Sequence, residues 1–203
     1  MIVYVESNFV LEYALFQDQY DSCSEMISLA EAGQVRLVVP AFCIAETFEA
    51  LYRRKSERTR LNAALKEQLA LLARTRQYHD SAVAYLADVE NLFLDSAESE
   101  ADRLHEAFTR ILSVGEVIPL ALGVLSAAIG LRSRLSLEPP DSVVLASVLQ
   151  HLAVAAPEPR CFLNRDAKGF RAREIREMLS EFGCTLFLSF DGGRDFILSR
   201  LRS

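Results

Sequence analysis

An α/β fold, a three-layer α/β/α arrangement with a mostly parallel central sheet and an inserted helical hairpin, is predicted by three features of this sequence. Short runs rich in β-branched and aromatic residues recur at 2–5, 35–39, 116–118, 160–163 and 185–188. Segments with helical spacing separate these runs, the alternation that builds a parallel sheet covered by helices on both faces. Between 57 and 112 the helical spacing continues with no strand signal, which predicts a helical insertion within one domain spanning 1–203.

The elements follow in order. The opening IVYV reads as a buried strand and runs directly into Glu6, Ser7 and Asn8. Ser7 or Asn8 can cap a helix over about 9–16, and Asp21 or Ser22 can start a second that ends near Gly33. Residues 35–39 form the next strand, and Pro40 suits the opening of a helix over about 41–54. Leu61, Leu65, Leu69 and Leu72, and later Leu104, Phe108 and Ile111, recur at helical spacing and mark the arms of the insertion. A strand at 116–118 precedes helices over about 120–134 and 141–153. A strand at 160–163, a helix over about 171–182, a strand at 185–188 and a last helix after Gly192 and Gly193 complete the chain.

Composition excludes several classes. With 203 residues, 51% of them hydrophobic, the chain can bury one substantial core. Its longest apolar runs, such as 117–131, contain Pro119, Gly123 and Gly130 and fall short of the roughly 18–20 residues that cross a bilayer. No basic segment with a small-residue cleavage site opens the sequence, so a cytoplasmic protein with no membrane partner is expected. Cys23, Cys43, Cys161 and Cys184 are widely spaced among apolar neighbours, which predicts buried reduced thiols. His79, His105 and His151 are isolated from one another and make no HxxxH site.

The net charge of −6 opposes general affinity for nucleic acid, because counterion release requires cationic side chains against phosphates. The charge is unevenly placed. Residues 53–76 carry eight basic side chains against Glu57 and Glu67, whereas 80–106 carry eight acids against Arg103. Two accounts fit: solvated helices of opposite charge attracting each other across an antiparallel contact, or a basic arm that binds a nucleic-acid strand.

Sites in parallel sheets form outside the carboxyl ends of the strands, and four acids fall there. Glu6 follows the first strand, and Glu46 lies on the helix of VVPAFCIAETFEAL with Glu49 one turn later. Asp141 opens the apolar helix of LEPPDSVVLASVL, and Asp166 follows Asn164 in FLNRDAKGF. Each also has a purely structural explanation. Asp141 after two prolines is a good N-cap, Asp166 can shape a turn, Glu46 and Glu49 can be surface acids, and Glu6 can face water at a strand end.

Taken together and in order, these segments resemble the PIN domain family, small α/β proteins that include metal-dependent ribonucleases. VYVESNFVLE is similar to the family's opening of apolar strand, Asp, Ser or Thr, Asn and apolar helix, and Glu46 falls on its helical glutamate. Asp141 in PPDSVVLAS matches an aspartate leading an apolar helix, while Asn164, Asp166 and Phe170 match a small polar residue, an acid and an aromatic. The match covers about 1–53 and 115–190. Two departures stand out: Glu6 replaces the usual Asp, setting its carboxylate roughly 1.5 Å further out, and the insertion at about 57–112 exceeds that of a minimal member.

The resemblance implies a metal-dependent endoribonuclease in which Glu6, Glu46, Asp141 and Asp166 hold Mg²⁺ or Mn²⁺, directly or through water. Hard divalent ions prefer such oxygen ligands, and clustered carboxylates without a cation repel one another. Ser7, Asn8 and Asn164 would orient the carboxylates by hydrogen bonds. Arg53, Arg54, Arg58, Arg165 and Lys168 are candidate RNA contacts, since an acidic cluster needs positive charge nearby to admit a phosphodiester. The implied partners are an RNA substrate, an antitoxin protein if this is the toxin of a toxin–antitoxin pair, and a second copy in a homodimer. The alternative is a catalytically weak or inactive PIN-like module that binds RNA or protein. Other hydrolases fit less well. Glu6-Ser7-Asn8 stands where a haloacid-dehalogenase phosphatase needs DxD, the wide spacing from Glu46 to Asp141 fits a receiver domain poorly, and neither GxxxxGK[ST] nor GxSxG occurs.

Overall fold

The structure, a computed structural model, describes residues 1–170 and 173–202, with all side chains among them except those of Ala97, Ala167 and Lys168. Five strands are formed: β1 (Ile2–Val5), β2 (Arg36–Pro40), β3 (Glu116–Ile118), β4 (Arg160–Leu163) and β5 (Cys184–Phe187). They pair in the order β3-β2-β1-β4-β5, and every neighbouring pair is parallel. Val5 is level with Leu163, and Leu163 with Phe187, so the carboxyl ends of β1, β4 and β5 open onto one rim. All residues of β1 and β4 are buried, which requires helices on both faces of the sheet.

Those helices are α1 (Ser7–Ala14), α2 (Tyr20–Glu31), α3 (Ala41–Ala73), α4 (His79–Val114), α5 (Leu122–Leu135), α6 (Pro139–Val154), α7 (Ala167–Phe170), α8 (Arg173–Ser180) and α9 (Phe190–Leu201). α2 packs against α1 and α9 and touches β2, while α9 also lies on β4 and β5. α6 packs on β2 and β3 and carries α5 on its outer side. Arg160 ties this layer together from within β4. Its guanidinium is buried and donates to the carbonyls of Leu152, Ala155 and Ala156 at the end of α6, at 3.1, 2.9 and 2.5 Å, and to Phe182 at 3.3 Å. The last turn of a helix leaves such carbonyls without internal partners, and a cation there also meets the negative end of the helix dipole.

Several boundaries differ from the sequence-based expectation. α1 starts at Ser7 because Glu6 itself is the cap. Pro40 ends β2, level with Ile118, and does not open the next helix. α3 does not stop near 54 but continues for 33 residues, since no glycine or proline interrupts it. α9 begins at Phe190, ahead of Gly192 and Gly193, because the Ser189 hydroxyl caps it through the Gly192 amide. The short helix α7 had no sequence signal. Of the helix expected at 171–182, positions 171 and 172 lie outside the described residues and α8 covers Arg173–Ser180.

The chain divides into two compact units, Met1–Thr47 with Glu106–Ser203, and Phe48–His105. The first contains the sheet. The second consists of the later part of α3 and most of α4, and its two arms run antiparallel, as their ion pairs show: Arg58 reaches Glu100 at 2.8 Å and Lys66 reaches Glu90 at 2.7 Å. The opposed charges of 53–76 and 80–106 thus meet within this unit. The four cysteines are buried and free. Among the described residues, no helix is long and apolar enough to cross a membrane.

Candidate active site

At the end of β1 the chain turns into α1 with Glu6 in an extended conformation as N-cap. One carboxylate oxygen, Oε2, accepts from the Asn8 amide at 2.8 Å and from the Ser7 hydroxyl at 3.1 Å. Asn8 therefore acts through its backbone, not its side-chain amide. The other oxygen, Oε1, is buried with no hydrogen-bond partner among the described residues. Burial, with a smaller contribution from the charge of Glu46, holds the Glu6 carboxyl up at about 7 against the opposing effects of the Asn8 amide, the Ser7 hydroxyl and the Arg165 backbone.

Glu46 lies half-buried on α3, one turn beyond Cys43, whose buried thiol is held well above its ordinary range by burial and then by Glu6 and Glu46. Glu49 is exposed.

Asp141 does not cap its helix. Pro139 and Pro140 fill the first two helical positions of α6, which moves the N-cap back to Glu138 and leaves Asp141 in the first turn. Its carboxylate accepts no hydrogen bond among the described residues. Burial first, and then the charges of Asp166, Glu46 and Glu138, raise it to about 6.

Asp166 follows β4. The Asn164 side-chain oxygen accepts from the Asp166 amide at 2.7 Å, and Asp166 Oδ1 in turn accepts from the Gly169 amide at 3.2 Å. This turn brings Gly169 against the acids. A Cβ on Gly169 would stand 2.6 Å from Asp141 Oδ2 and 3.0 Å from Asp166 Oδ2.

The four acids anticipated from sequence thus lie in one electrostatic series, with Glu46 felt by both Glu6 and Asp141, and Asp141 facing Asp166. As the side chains stand, no three His, Cys, Asp or Glu among the described residues gather closely enough to hold a metal ion. In donor type and charge the group nevertheless fits a hard divalent cation. All its donors are oxygens, Glu6 Oε1 is a buried carboxylate atom with no hydrogen-bond partner among the described residues, and two carboxyls are raised partly by their neighbours' negative charge.

A family model described as a PIN domain matches residues 3–170. The chain belongs to the PIN domain family. Members of this family are generally nucleases and typically use divalent metals. The chain is also similar to the crystal structure of VapBC2 from Rickettsia felis bound to a DNA fragment from their promoter, at 14% identity and a TM-score of 0.44, over 92% of this chain and 98% of that one. No curated protein is matched.

Beside the four acids of this PIN domain stands a pair that sequence reasoning did not find. Glu12, buried in α1, is bonded to the Arg165 guanidinium and accepts from the Gln19 amide at 2.5 Å. Asp18 also approaches Arg165, at 3.6 Å. Arg165, expected as an RNA contact, is thus engaged by the fold. The one available signal for Glu12 is an acid inside the apolar stretch FVLEYAL. Gly169 had no signal beyond its place in AKGF. The side chain of Lys168 lies outside the described residues, and Arg53, Arg54 and Arg58 belong to the helical unit, where Arg58 pairs with Glu100 and donates to the Ser96 hydroxyl at 3.1 Å.

Proposed function

We propose that this chain is a metal-dependent endoribonuclease, with residues 1–203 acting as one PIN domain that carries a helical insertion. The observation that carries the reading is the buried, unbonded Oε1 of Glu6 beside Glu46, in series with Asp141 and Asp166. Glu6, Glu46, Asp141 and Asp166 would hold Mg²⁺ or Mn²⁺. Such an ion supplies a nucleophilic water at neutral pH and offsets charge on the scissile phosphate.

The chain's own residues do the rest. Ser7 and the Asn8 amide fix one oxygen of Glu6 and leave the other without a hydrogen bond among the described residues. Asn164 shapes the turn that presents Asp166, and the missing side chain at Gly169 keeps Asp141 and Asp166 open to each other. Of the cationic side chains expected to meet substrate phosphates, Arg58 and Arg165 are held in ion pairs with Glu100 and Glu12, which leaves Arg53, Arg54 and Lys168 as the candidates. We further assign the chain as the toxin of a toxin–antitoxin pair, with an antitoxin protein and a second copy of itself as partners in the cytoplasm.

One observation favours a second reading. Glu6 caps α1, and no three of these acids gather around a common point as they stand, which suits a PIN module that binds RNA or protein without cleaving it. Titration of purified protein with Mn²⁺ separates the two. A nuclease binds Mn²⁺ and cleaves RNA, and Asp141→Asn abolishes both, whereas binding of RNA without Mn²⁺ uptake or cleavage leaves the module.

A further inference from the structure

The sheet unit carries, on its outer layer, a groove that the four acids do not use. α5 and α6 are joined by only the three residues 136–138 and pack side by side. Val124 and Ala128 of α5 are buried with Ala146 of α6. Gly123 lets the two helices close, since a Cβ there would stand 3.2 Å from the Gln150 side-chain nitrogen. Beside this contact lies an open, apolar groove of about 480 Å³, floored by Ala127, Gly130 and Ala153 and walled by Leu131 and Leu149. Gln150 lines it from α6, and Arg134 stands at the end where α5 finishes.

Gly130 shows that the groove is not a by-product of tight packing. It lies inside α5, and a Cβ on it would meet nothing within 4 Å. Neither crowding nor the backbone asks for glycine there, and alanine would hold the helix better. What the glycine does is keep the floor low. From Ala127 to Arg134 the groove runs about 10 Å, two helical turns. That shape suits a third helix whose large side chains drop between α5 and α6.

Charge says what such a helix must carry. From Val117 to Leu137 and from Ser142 to Pro157 the sequence has no aspartate or glutamate. Arg134 is exposed and makes no ion pair among the described residues; its guanidinium donates to the Met178 sulfur of α8, a weak neutral acceptor. We propose that the groove binds one helix of a different protein, apolar along the face that enters it and bearing an aspartate or glutamate at the end that meets Arg134. A second copy of this chain does not supply that match. Groove against groove, both surfaces bring the arginine and neither brings an acid. The inference goes beyond the nuclease reading and stands on none of its acids.

The test uses the full-length protein and synthetic helical peptides about 16 residues long. They share leucines at i, i+3, i+4 and i+7 and differ only in the residues flanking them, which are glutamate, glutamine or lysine. Fluorescence anisotropy should show saturable one-to-one binding, tightest for the glutamate peptide and weakest for the lysine peptide, and Arg134→Glu should abolish that order. Gly130→Leu, which fills the groove, should weaken the glutamate peptide about tenfold with an unchanged circular dichroism spectrum. Gly130→Ala should raise the melting temperature. Absence of saturable binding by any of the peptides overturns the proposal, as does equal binding of the glutamate and lysine peptides. A lower melting temperature for Gly130→Ala also overturns it, because the fold itself would then need the glycine. Self-association that Gly130→Leu dissolves would give the groove to a second copy, and sedimentation with phosphatidylglycerol vesicles that Arg134→Glu abolishes would give it to a lipid surface; either overturns the proposal. Cleavage is not read in any of these measurements, so failure here leaves the nuclease reading untouched.

Discussion

Gly169 stands against Asp141 so closely that a single added carbon would lie 2.6 Å from the aspartate's Oδ2. Real Cβ atoms do not approach other atoms at that distance, so Gly169→Ala must displace Asp141, Asp166 or the turn that carries them. If these acids act together, a displacement of under an ångström lowers turnover by about 10- to 100-fold. Steady-state cleavage assays of Gly169→Ala and of Gly192→Ala, which has no contact nearer than 3.8 Å, check this. Only the first should fall.

The pH dependence of stability follows from Glu6 and Asp141. Both keep their proton in the folded protein above the pH at which the unfolded chain gives it up, with folded values of about 7 and about 6. Their contribution to stability is fully present below about pH 4 and is lost as pH rises through 6 to 7, at about 1.4 kcal/mol for each unit of separation. Thermal melts without divalent ions should therefore show stability falling across this window. Glu6→Gln should raise the melting temperature at pH 8, where the carboxylate is ionised, and give no gain at pH 4.

Cation binding should act in the opposite sense. Mn²⁺ favours ionised carboxylates, so it should raise the melting temperature more at pH 8 than at pH 5. Asp141→Asn should remove that increment. In the metal-free protein at pH 8 it should instead raise the melting temperature, as Glu6→Gln does, because it removes a carboxylate that burial, Asp166, Glu46 and Glu138 disfavour and breaks no capping bond.

Arg165 and Glu12 separate structural from substrate-binding roles. Replacing one member of a buried ion pair leaves the other uncompensated, at a cost of about 3–5 kcal/mol when both are fully buried and less where one, as Arg165 here, is partly exposed. Arg165→Ala should therefore lower the denaturant midpoint, and Glu12→Gln should do the same although it removes no positive charge. An unchanged midpoint for Arg165→Ala, with RNA affinity lost, would instead leave this arginine to the substrate.

Arg160→Ala should be the most destabilising of these changes, by about 3 kcal/mol or more. It strips partners from carbonyls at the end of α6 and opens a cavity inside the sheet layer. Urea unfolding followed by circular dichroism measures it.

The sheet was legible because buried parallel strands read as continuous apolar runs. β1, β3 and β4 fall on the residues expected, and β2 and β5 shift by one. Helix ends were less legible, for definite reasons. α3 overran its expected end because nothing in RRKSERTR breaks a helix. Two consecutive prolines displaced the cap of α6 by three residues from Asp141. That Glu6 and Asp166 follow strands and that Asp141 lies in the first turn of a helix was legible in the sequence. Their mutual approach was not, since Glu6 and Asp141 are far apart in sequence and only the strand order brings their loops to one rim. Glu12 and Arg165, separated by 153 positions, were invisible for the same reason.

The strand order also sets a schedule for synthesis. β1, translated ahead of the other four strands, has β4 as one of its two neighbours in the sheet, and β4 is translated only after the helices α1 to α6. Domains fold as units while the nascent chain lengthens. A growing polypeptide that already displays Glu6 and Glu46 must therefore wait more than a hundred codons for Asp166. During that interval any hydrolytic potential stays dormant beside the messenger being read.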